Sequence, residues 1–130
     1  MSGETPEVTL LRGLAGTARG PRREGVFALW LTTRAALDLL IVPPPAERSH
    51  RRRITALERR LATLTLPPPL RRALNASLTQ LRTSSPESAL EALTQLIAPA
   101  RETGGPDAGE ALAAAARAAR DVLRTRKAQG

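Results

Sequence analysis

The sequence predicts an all-α protein: a compact bundle of about five helices, with one central apolar helix wrapped by amphipathic ones and no β-sheet. Three observations predict it. Leu, Ala and Arg, all strong helix formers, dominate the composition. Leucines recur at three- and four-residue spacing along most of the chain. No stretch alternates apolar and polar residues as a half-buried strand would. At 130 residues the chain is the size of one domain, able to bury about two-thirds of its unfolded surface. With one Phe, one Trp and no Tyr, its core must be built from Leu and Ala.

Residues 1–20 are expected to form a weakly structured arm or a short helix. Thr5-Pro6-Glu7 supplies an N-cap followed by Pro at the first helical position. Val8, Leu11 and Ala15 make an apolar stripe, while Gly13 and Gly16 each cost about 1 kcal/mol relative to Ala. Residues 21–127 are expected to be a single helical domain and 128–130 a frayed tail.

The central helix begins at Gly20-Pro21 and is expected to run to about Val42. There Pro43-Pro44-Pro45 imposes a stiff, extended corner. Val26, Trp30, Leu37 and Ile41 share one face at helical spacing, and Ala28, Ala35 and Leu39 cover the opposite one. Apolar surface on nearly every side demands a core, an interface or a membrane. Membrane insertion loses on energy. The apolar residues contribute roughly −3 to −5 kcal/mol, against about +5 to +7 kcal/mol for the central Arg34 and Asp38. Those two residues stand four apart and are expected to pair with each other. Phe27, Trp30, Leu37 and Ile41 are therefore candidate core or interface residues. Arg22-Arg23 before an apolar run resembles a twin-arginine export signal. Glu24 and Gly25 interrupt it, however, and no small-residue cleavage site precedes Pro43. A cytoplasmic location is expected, in keeping with the absence of cysteine.

A second helix is expected over residues 46–64, with Ile54, Leu57, Leu61 and Leu64 on one seam. Arg48, Arg52 and Arg59 lie opposite that seam, and Arg51, Arg53 and Arg60 lie on its flanks. Glu47 is placed to pair with Arg51. After the corner Pro67-Pro68-Pro69, the helix over 69–82 buries Leu70, Leu74, Leu78 and Leu81. Ser85-Pro86-Glu87 starts the next, with Ala89, Leu90, Leu93, Leu96 and Ile97 inward and a stop at Gly104-Gly105-Pro106. In the last helix Asp107 and Glu110 resemble a capping box. Leu112, Ala115, Ala116, Ala119 and Leu123 face inward there, and Arg124, Arg126 and Lys127 suit its C-terminal end.

The formal net charge is +8, and all but one of the 20 basic residues are Arg. GC-rich coding raises Arg, Ala, Gly and Pro together without a functional cause, so placement says more than the total. Residues 46–82 carry +7 and residues 83–110 carry −4. The only histidine, His50, is expected to be solvated near a helix start, with no nucleophile beside it to activate. The carboxylates are scattered, without the paired spacing of general acid–base catalysis, and no phosphate-cradling or metal-ligand motif occurs. No catalysis, metal or cofactor is expected.

The function expected is that of a small adaptor, accessory or assembly protein presenting a basic face to an acidic protein partner. Self-association as a homodimer is a second way to cover surplus apolar surface. The alternative is nucleic-acid binding through phosphate contacts, with no aromatic platform available for bases. The candidate binding residues are Arg48, Arg51, Arg52, Arg53, Arg59 and Arg60. Arg71 and Arg72 join them, because in a first helical turn the dipole disfavours cations unless an anion offsets them.

Overall fold

Proline at the first helical position and an apolar stripe behind it is the local rule of this chain. The computed structural model, which describes residues 5–41 and 45–129, has six helices. They are α1 (Pro6–Thr17), α2 (Pro21–Asp38), α3 (Glu47–Ala62), α4 (Pro68–Leu81), α5 (Pro86–Gly104) and α6 (Pro106–Gln129). Every helix except α3 begins on a proline, whose fixed φ and missing N–H suit that position. No strand occurs among the described residues.

The helix beyond the expected five is α1. The Thr5 hydroxyl caps it, accepting from the Val8 N–H at 3.4 Å, and Val8, Leu11 and Ala15 are buried. Gly13 and Gly16 stay on its exposed side. Packing against α2 and α6 supplies the burial that offsets the glycine penalty.

Helix α2 touches each of the other five helices, which buries most of its apolar side chains and leaves Phe27, Trp30 and Leu31 half-buried. It ends at Asp38 and not near Val42. The Leu39 N–H bonds back to Ala36 and Leu37, and the Leu40 N–H reaches Leu37 O at 3.0 Å, a tightened final turn that closes the helix. The expected corner at Pro43-Pro44-Pro45 falls at Val42, Pro43 and Pro44 outside the described residues. Gly25 lets α2 lie close to α5: a Cβ there would collide with Thr103 and stand 3.2 Å from Leu70.

Helices α5 and α6 fold back on each other through Gly105, whose φ of +87° is one that glycine adopts at no steric cost. Their contact is lined by small residues, with Ala92, Ala100, Ala108 and Ala115 fully buried. On α5 the inward line therefore differs from expectation. Ser88, Ala92 and Ala100 are buried, while Leu90 and Ile97 are only partly so, because helices this close accept alanine where a branched side chain would hold them apart. The capping box at Asp107 does not form as expected. Helix α6 already starts at Pro106, and Glu110 pairs with Arg117 at 2.9 Å. Helix α6 also continues through residues 128 and 129. Among the described residues no helix is long and apolar enough to cross a membrane.

Candidate functional site

Helix α3 carries the basic surface. It packs on α2 and α4 through a stripe of His50, Ile54, Leu57 and Leu61, all buried. On the far side, Arg48, Arg51, Arg52 and Arg59 surround a shallow open furrow with Thr55 and Ala56. Arg51 is tied to Glu47 at 2.6 Å, the expected i, i+4 pair between two exposed side chains. Arg48, Arg52 and Arg59 have no polar partner among the described residues.

The flank of α3 toward α2 uses its arginines differently. Arg53 pairs with Asp38 of α2. Arg60 places its guanidinium 5.2 Å from the centroid of the Phe27 ring, in range for a cation–π contact. The expected Arg34–Asp38 pair is thus replaced by a tertiary one, because Asp38 faces α3 and Arg53 comes to meet it. Arg82 of α4 pairs with Glu58, which joins α3 to α4 at the surface.

The apolar candidates divide. Leu37 is buried. Phe27 and Trp30 are half-buried, with ring centroids 5.5 Å apart. Ile41 is 47% exposed, since α2 has ended before it and it no longer belongs to the helical face that Val26 and Trp30 define.

A second set of basic side chains has a structural role that the sequence does not reveal. A helix ends with carbonyls that have no partner inside it and a partial negative charge. Two of these ends, and the turns that follow two others, receive a side-chain N–H from elsewhere in the chain. Arg126 donates to Leu40 O after α2 at 3.1 Å, and Arg71 donates to Leu64 O after α3 at 2.6 Å. His50 Nε2 donates to Leu81 O at the end of α4 at 2.6 Å, and Arg22 donates to Gly104 O at the end of α5 at 2.6 Å.

One expectation is corrected here. His50 is not solvated but 1% exposed; it stands four residues before Ile54 and so continues the buried seam. A carbonyl can only accept, so Nε2 carries the proton, and Nδ1 is left buried without a partner among the described residues. Arg71 stands in a first turn where the dipole disfavours a cation, and it donates to Leu64 O just past α3. Arg72 is exposed, yet Pro67, Pro68 and Pro69 supply no N–H to face an anion. The partners of Arg22 and Arg126 escaped the sequence reading because they lie far away along the chain, 82 residues for Arg22 and 86 for Arg126.

Among the described residues no group of three or more His, Asp or Glu side chains is placed to hold a metal ion. The class this describes is an all-helical protein with an arginine-faced helix at its edge. No known protein family, curated protein or solved structure matches the chain.

Proposed function

We propose that the protein is a non-catalytic adaptor or assembly component of the cytoplasm, a compact bundle that offers the outer face of α3 to an acidic protein partner. The observation that carries this reading is the stripe of Arg48, Arg52 and Arg59, unpartnered on a helix whose remaining arginines are engaged. Guanidiniums held along a rigid helix match carboxylates in bidentate geometry.

Nucleic acid is the weaker reading. DNA binding of strong salt dependence uses about 6–10 phosphate contacts, more than this stripe offers. Phe27 and Trp30 are half-buried against each other, which withholds them from base stacking. Self-association has little to draw on, because the large apolar side chains left exposed among the described residues are Leu10 and Ile41.

Fluorescence anisotropy with a labelled acidic peptide and a DNA duplex of equal charge tests the proposal. At about 150 mM salt the peptide should bind more tightly than the duplex. The triple variant Arg48→Gln, Arg52→Gln, Arg59→Gln should weaken peptide binding about tenfold or more. A duplex that binds more tightly than the peptide, and loses about 10³-fold in affinity from 50 to 200 mM salt, would overturn it.

A further inference from the structure

On the flank of α3 that faces α2 lies a cleft of about 280 Å³. Its floor is aliphatic, made by Leu31 and Ala35 of α2 and by Ala56 and Leu57 of α3. Its rim is charged, with Arg34 and Asp38 on one side and Arg53 and Arg60 on the other. Asp38 neutralises Arg53, so Arg34 and Arg60 leave the rim positive. Arg53 is held by Asp38 and Arg60 by the face of Phe27. Both are therefore positioned before any ligand arrives, which lowers the entropy lost on binding. Ala56 belongs to the cleft and to the outer furrow alike, so the two surfaces join across it.

We propose that this cleft receives one apolar side chain of an acidic peptide segment, with the carboxylates beside that side chain meeting Arg34 and Arg60. The inference rests on α3 being a surface for an acidic protein, and it states what that protein must carry. Charge complementarity selects an anion. The aliphatic floor gains free energy by covering hydrocarbon and gains nothing from sugar or phosphate. The volume of about 280 Å³ lies just below the roughly 300–1,000 Å³ range of small-molecule sites, enough for a side chain and too small for a long acyl chain. A peptide satisfies all three conditions.

The test uses the full-length protein and two peptides of identical negative charge, one with Leu at a central position and one with Ser there. The Leu peptide should bind about tenfold more tightly. It should also change the emission of Trp30, the only tryptophan, because Phe27 touches both Trp30 and Arg60. Ala56→Phe fills the cleft from an exposed position and should bring the Leu peptide down to the affinity of the Ser peptide. Arg34→Gln should weaken the Leu peptide severalfold. Thermal melts followed by circular dichroism show that each variant keeps its helices.

Equal binding of the two peptides, or an Ala56→Phe effect that strikes both alike, would overturn the cleft. If the triple Gln variant still weakened both peptides, the basic face would stand without it. Binding of neither peptide at about 1 mM would remove both readings.

Discussion

The arginines at the helix ends and the arginines along α3 are the same residue type in two opposite situations. Arg22 places its guanidinium on the last carbonyl of α5, and Arg71 and Arg126 place theirs on carbonyls just past α3 and α2, while His50 reaches the end of α4 with a ring N–H. Arg48, Arg52 and Arg59 sit on an exposed face with no polar partner among the described residues. Much of this chain's basic character is therefore spent inside the fold. Total charge misleads as a guide to binding here; the remainder left after tertiary pairing is what a partner meets.

The comparison breaks most visibly at His50. Replacing it by Ala should remove buried volume and leave Leu81 O without its donor. The expected cost is about 3 kcal/mol in chemical denaturation. An effect below about 0.5 kcal/mol would mean that the ring is not the buried cap described above.

Arg22→Ala, Arg71→Ala and Arg126→Ala come next, each expected to lose about 1–2 kcal/mol from a charge-assisted bond to a helix end. Hydrogen exchange should show the loss concentrated in the last turn of the helix that each one caps. Uniform destabilisation would argue that these side chains only pack.

Smallest is the triple Gln variant of the outer stripe. Its stability should stay within about 0.5 kcal/mol of the parent, or rise slightly as like charges are removed. If unfolding showed that variant as damaged as the caps, the distinction between spent and free arginines would fail.

Local chemistry made much of the fold legible. Thr5, Pro21, Ser85 and Gly105 mark helix boundaries in the sequence and in the structure. The leucine seams of α3 and α4 are buried as their spacing requires. The seam also held a signal for His50, four residues before Ile54, which the run of arginines around it obscured. Alanine faces such as Ala92 and Ala100 were harder to read, since a small side chain is equally at home in a tight interface or in water. Of the candidate site, the outer stripe of α3 followed from helical geometry alone.

By itself, the sequence determined where helices start, which side of each is apolar, and that positive charge gathers between residues 46 and 82. These follow from interactions within a few residues, which periodicity records. Only the tertiary structure decided which arginines are consumed, that Asp38 meets Arg53 and not Arg34, and that α2 and α3 leave a cleft between them. Each of those depends on two segments far apart in the chain arriving within a few ångströms, and no local pattern encodes that distance.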